Sequence, residues 1–290
     1  MRPRVLTIMG MGVALALAPH AFGSELIARN ATNVRLEVSA DGNAALLSYR
    51  AHGRTWYVVA RGAINAIPPT RGRRQVSFQL RRSTTRPPFE GGCRHFHLLI
   101  PMLVTDCAAG GSSWAVQSWK RALPNFGVKP SPFRAQPELH LSHWSGPVAV
   151  LTMRADWSYG GRWQHVYGSL TYRGKPVYGF GTTRLGVPTD TFGRIVYLDT
   201  FGSDYGWGWH RENSFVTHNP WGSFCYDLTP HRGQLTGAGL AYRAMVEGPG
   251  VTPDVGAYVS TPGAYNPERD LAANQDQASI APGDRLCRPS

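Results

Sequence analysis

Lysine is nearly missing from this chain: Lys120, Lys129 and Lys175 are the only lysines among thirty basic residues, and the rest are arginine. With thirty-three glycines and twenty-two prolines, that bias reads as genome composition more than as function. The net charge of +12 therefore sets only a coarse expectation, attraction to anionic polymers. The densest basic stretch, Arg71, Arg73, Arg74, Arg81, Arg82 and Arg86, reads as a solvated loop and a strand edge rather than a specific nucleic-acid site. Charged residues are scarce, at 17%. No apolar run after the first eighteen residues approaches the ~20 needed to span a bilayer, so no transmembrane segment is expected in the mature chain. Gly-x-Ser-x-Gly, phosphate-loop and dinucleotide fingerprints are missing too, which removes the commonest hydrolase and nucleotide-dependent classes and leaves no cofactor to expect.

What is present begins with a secretory pattern. Arg2 and Arg4 precede an apolar run from Val5 to Ala18, Pro19 breaks it, and Ala21 and Gly23 place small residues at −3 and −1 of a cleavage site before Ser24. A secreted, extracellular protein is the expectation. Four cysteines, an even number, then imply two disulfides, with 93–107 and 225–287 favoured among the three pairings of Cys93, Cys107, Cys225 and Cys287. Their spacings fit no zinc pattern, and no metal is expected. His95 and His97 share one face of a strand, yet no carboxylate stands at a telling sequence distance; His140 and His143 differ in parity.

Abundant glycine, proline and aromatic residues (11 Phe, 9 Trp, 12 Tyr) describe strands joined by tight turns. Val34, Leu36 and Val38 alternate ahead of Asp41-Gly42, and Ala45 to Tyr49 returns as the second arm of a hairpin. His52-Gly53 leads to a third strand, and Trp114 to Leu123 suits a hairpin arm slightly better than a helix. Short strands recur at 139–144, 148–157, 163–172, 177–182, 195–201, 214–217, 223–228 and 240–246. The expected fold is all-β, an antiparallel sandwich or two packed β units with few or no helices. The expected organisation is a signal peptide (1–23), an N-terminal β unit (24–123), a Pro-rich connection (124–137), a C-terminal β unit (138–247) and an extended tail (248–290) tied by a disulfide.

The densest chemistry lies between Asp156 and Trp221. Trp157, Trp163, Trp207, Trp209 and Trp221 offer faces on which a pyranose ring can stack, while Arg211 and Asn213 offer hydrogen bonds to its hydroxyls. Glycines flank Trp207 and Trp209, so 204–213 reads as a loop carrying a site. The resulting expectation is a non-catalytic binding protein for carbohydrate or another cell-envelope polymer. The alternatives are a polysaccharide hydrolase using two of Asp156, Asp199, Asp204 and Glu212, and an extracellular structural protein without a ligand site.

Overall fold

In the computed structural model, the described residues are 24–68, 75–96, 99–121, 136–158, 160–177, 195–203, 206–216, 222–228 and 239–282, with backbone alone for 213–216. The first half contributes β1 (Glu25–Arg29), β2 (Thr32–Val38), β3 (Ala44–Ala51), β4 (Arg54–Arg61), β5 (Gln79–Ser83), β6 (Leu103–Ala109), β7 (Ser112–Lys120) and β8 (Pro137–Trp144). The second half contributes β9 (Val150–Ser158), β10 (Trp163–Tyr172), β11 (Lys175–Pro176), β12 (Ile195–Ser203), β13 (Gly206–Val216), β14 (Ser223–Leu228), β15 (Ala241–Val246) and β16 (Val255–Ser260). One helix among the described residues, α1 (Pro267–Ile280), closes the series. The all-β expectation holds.

The strands form four antiparallel sheets that pack in two pairs. Sheet β1-β8-β7-β6 faces sheet β2-β3-β4-β5. Between them lies a core of Leu36, Leu47, Tyr49, Val58, Trp114, Val116, Leu139 and Leu141. Sheet β13-β12-β15-β16 faces the sheet built on β10, which pairs with β9, β14 and β11. Val166, Leu170, Leu198, Phe224, Tyr242 and Val246 fill that second core. Each sandwich follows from the period-two alternation of apolar residues, which places one row inside and the next outside.

Turn chemistry sets the register where the sequence suggested it would. Gly42 has φ +74°, and a Cβ there would lie 2.5 Å from the Ala109 carbonyl oxygen, so the β2–β3 turn needs glycine for both space and conformation. The Asp41 carboxylate receives the Asn43 N–H at 3.1 Å and fixes the same turn. His52-Gly53 and Gly110-Gly111, all at positive φ, turn β3 into β4 and β6 into β7. The 112–120 stretch is a strand, as the hairpin reading expected.

Two readings of the sequence are corrected. The segment 206–213, expected as a glycine-rich loop, is part of the eleven-residue strand β13. It lies at a sheet edge, where glycine is tolerated, and Gly206 (φ +118°) and Gly208 (φ +102°) bend it instead of ending it. The stretch from Gly248, expected to be extended, contains β16 and α1. Asn266 caps that helix, accepting the N–H groups of Glu268 and Arg269, and Pro267 occupies its first turn. It lacks an apolar stripe because it docks by charge: Arg269 pairs with Asp156, Arg154 with Asp276, and Asp270 receives the N–H groups of Gly160 and Gly161.

Candidate functional site: an aromatic edge backed by an arginine–aspartate array

Strand β12 presents Tyr197, Asp199 and Phe201 on the face turned away from the second core, while Val196 and Leu198 enter that core. Across the ladders, Phe201 opposes Trp209, and Asp199 opposes both Arg211 and Arg243. Arg243 in turn opposes Tyr258. Cross-strand pairing thus assembles one surface from four strands.

The outer end of that surface is aromatic. Phe201 meets Trp207 edge-on at 4.9 Å and Trp209 at 5.2 Å, and Trp209 meets Tyr258 at 5.8 Å. Large parts of these rings face solvent: Trp207 is 78% exposed, Tyr258 57%, Trp209 36%, and the adjoining Leu240 58%. Neighbouring exposed apolar side chains of this size mark a contact surface more often than isolated ones do. Register shifts near Leu198–Asp199 and Phe201–Ser203 twist the edge and bring Trp207 onto Phe201.

Behind the rings stands a charged array. Arg243 donates from Nε (3.0 Å) and Nη2 (2.7 Å) to Asp199 Oδ2, and its guanidinium carbon lies 4.5 Å from the Trp209 ring centroid. Arg211 Nε lies 3.0 Å from Asp199 Oδ1; its guanidinium covers the Tyr197 ring at 4.8 Å, and its Nη2 donates to the Lys120 carbonyl. One buried carboxylate thus sits between two guanidinium groups. Burial lowers the Arg211 pKa, and Asp199 opposes that effect.

The inner end of the same surface is closed by Trp119, which packs on Tyr197 and Met245. A buried polar seam continues from there. Arg121 bridges Glu138 and Glu247, and Arg29 adds a second cation to Glu138. At its end, Asp254 receives Trp119 Nε1 at 2.6 Å, the Gly248 N–H at 3.1 Å and the Ser24 hydroxyl. His140 Nδ1 lies 2.9 Å from Ser24 Oγ and 3.2 Å from Asp254 Oδ2. Burial alone would lower the His140 pKa, but Asp254 and Glu138 outweigh it and raise it. This seam ties β1, β7, β8 and the 247–254 segment together, and its burial leaves it structural.

The remaining residues singled out from the sequence fall elsewhere. Trp157 and Trp163 sit half-buried on β9 and β10, in the other sheet; Trp157 Nε1 donates to the Gly263 carbonyl and its ring meets Tyr265. Asp156 lies on the outer face of that sheet, held by Arg269 beneath α1. Glu212 is buried at the β13 bulge, and its charge acts on Tyr242, on the opposite face from Asp199. The described carboxylates therefore occupy separate surfaces. Asn213 opposes Leu198 in the ladder, but its side chain, like Asp204 and Trp221, lies outside the described residues.

Cys93 and Cys107 correct the expected disulfide: both are free thiols. The Arg94–Ala108 bridge sets them at diagonal rather than opposed positions, and their sulfurs turn to the Asp106 and Gly92 carbonyls at 3.0 and 3.5 Å. Burial, together with the neighbouring Cys107, pushes the Cys93 thiol up to about 12. Cys225 carries a disulfide, and Cys287, its expected partner, lies outside the described residues. His95 does have a carboxylate beside it, Asp106 at 3.1 Å, contributed by β6; His97 lies outside the described residues. The opposite parity of His140 and His143 is realised. His140 joins the seam, and His143 stacks on Trp114 at 3.9 Å, donates from Nδ1 to the Ala63 carbonyl and has Nε2 2.9 Å from Ser112 Oγ. No group of three or more metal-ligating side chains occurs among the described residues.

Phe201, Arg243 and Tyr258 are the site members that sequence reasoning missed. Arg243 had a local signal: a charged residue at an alternating position of the otherwise apolar Ala241–Val246 strand. Comparison with known proteins finds no matching family model, no matching curated protein and no matching solved structure.

Proposed function

We propose that this protein is a non-catalytic carbohydrate-binding protein of the cell exterior, and that the aromatic edge formed by Trp207, Phe201, Trp209 and Tyr258 is its binding platform. The exposure of Trp207 and Tyr258 around a half-buried Phe201 is the observation that carries this reading. A soluble fold leaves rings of this size in water at a cost, and their apolar faces match the C–H faces of sugar rings. An edge strand also leaves room for an extended polymer to run along it. Placement outside the cytoplasm rests on the N-terminal secretory pattern.

The test is a pull-down of the full-length, processed protein on a panel of insoluble polysaccharides and cell-wall preparations, at low and high salt, with release of reducing ends followed in parallel. Depletion that survives high salt and is lost in Trp207→Ala supports the platform. Release of reducing ends overturns the non-catalytic reading. Depletion that disappears with salt is electrostatics alone and overturns the platform.

A further inference from the structure

Resting on the platform reading, we propose that the polymer recognised is anionic, carrying carboxylated (uronate-type) sugar rings, and that Arg243 reads the carboxylate. Arg243 is braced on two sides: Trp209 lies under its guanidinium plane, and Asp199 Oδ2 takes both Nε and Nη2. No acceptor among the described residues takes Nη1, and the Arg243 side chain keeps 14% of its surface exposed beside the rings. A guanidinium held in this way is fixed in direction before a ligand arrives, and it adds a charge-assisted hydrogen bond to ring stacking.

Charge agrees with geometry. Two guanidinium groups, those of Arg211 and Arg243, converge on the single carboxylate of Asp199 behind the platform. Glu212, on β13, is buried and acts on Tyr242. A neutral glycan would satisfy the rings but offer Arg243 Nη1 only neutral acceptors. A uronate ring stacked on Trp207 or Trp209 would bring its C6 carboxylate alongside Arg243. The whole chain, at +12, adds a long-range attraction of the same sign.

Three uronate polymers (polygalacturonate, alginate and hyaluronan), each beside its carboxyl-methylated ester, give the test. The ester keeps the backbone and its stacking faces and removes the charge. Wild-type protein is expected to bind at least one acid form at least tenfold more tightly than its ester in 0.15 M salt. Arg243→Gln should lower binding to the acid form by about tenfold more than it lowers binding to the ester, whereas Arg54→Gln, an exposed arginine of β4 with the same loss of charge, should change neither. Because Arg243 also neutralises buried Asp199, Arg243→Lys serves as a second variant. It keeps the charge but loses the forked bond, and a loss of at least threefold on the acid form is expected. Should both variants unfold, the wild-type comparison of acid and ester decides alone.

Equal binding of acid and ester, lost in Trp207→Ala, overturns the anionic inference and keeps the platform. Equal loss in Arg243→Gln and Arg54→Gln overturns it as well, because bulk charge then suffices. Failure of every acid form to bind while neutral polysaccharides bind through Trp207 likewise overturns this inference alone. Failure of all polymers, neutral ones included, overturns the platform and the inference together.

Discussion

Removing the Asp254 carboxylate tests whether the polar seam holds the two sandwiches together. In Asp254→Ala, three buried donors lose their acceptor: Trp119 Nε1, the Gly248 N–H and the Ser24 hydroxyl. His140, wholly buried, loses the nearest anion. Each orphaned buried donor costs about 1–3 kcal/mol, but water entering the vacated space recovers part of that. Breaking a buried ionic cluster from one side costs about 3–5 kcal/mol in total, and that range is the expectation here. Against a domain stability of roughly 5–15 kcal/mol, this loss is large. Asp254→Asn keeps one carbonyl acceptor and should cost about half as much.

The same substitution should change the pH profile. His140 has a pKa raised above 6.5, so its contribution is complete below pH 6.5 and is lost as pH rises through the higher, folded-state value. In Asp254→Asn the anion that favours the imidazolium is gone, and the decline in stability above pH 6.5 should flatten. Urea midpoints measured from pH 5 to pH 9 on wild type and both variants read out both effects. A change below about 0.5 kcal/mol in Asp254→Ala, or an Asp254→Asn profile parallel to wild type, would refute the assignment of Asp254 as the anchor.

Four further outcomes are expected. Trp207→Ala should change stability by less than about 0.5 kcal/mol, because its ring is mostly in water, whereas Trp114→Ala should cost about 3–5 kcal/mol, because that ring is fully buried; thermal melts of the two compared directly decide this. Gly42→Ala should cost about 1–3 kcal/mol from positive φ and the clash with the Ala109 carbonyl, measured by denaturant titration, and a neutral result would disprove the turn assignment. Burial pushes the Glu138 carboxyl up, but His140 and Arg121 hold it down at about 2, so its stabilisation is present above pH 4.5 and is lost as pH falls from there toward 2; Glu138→Gln should flatten that acid limb in an acid-denaturation curve. Alkylation of the native protein at pH 8 should label Cys93 and Cys107 far more slowly than a free cysteine model, since the Cys93 thiol titrates near 12 and Cys107 is buried, and rapid labelling by mass spectrometry would count against this.

Local signals served well where the physics is local. Asp41-Gly42 and His52-Gly53 announced their turns because positive φ and close approach are properties of the residue itself. Alternation announced β2, β3 and most later strands for the same reason. The glycines of 204–213 point to a loop because glycine content is a local cue, whereas tolerance for glycine depends on lying at an edge, which only the sheet order decides. Trp207, Trp209 and Arg211 share a parity that fits a strand; grouping the two tryptophans with Trp157 and Trp163 follows proximity in sequence, and the fold sends those two to another sheet. Phe201, Arg243 and Tyr258 join the site through ladder pairing between strands well separated in the chain. Ser24 and Asp254, 230 residues apart, meet by the same route, and no window of sequence contains that information.

The chain of ring contacts from Trp207 through Phe201 to Trp209 and Tyr258 bears on how quickly and sharply a ligand would be met. Phe201 and Trp209 touch, and Arg243 is laid on Trp209, so this inner part of the platform has less rotamer freedom left to lose than the outer Trp207 ring. Ordering a free side chain on association costs about 0.5–1.5 kcal/mol, and for Phe201, Trp209 and Arg243 part of that ordering occurred on folding. Encounter should therefore proceed as docking to a rigid template, with association rates governed by diffusion and charge and with selectivity expressed in residence time.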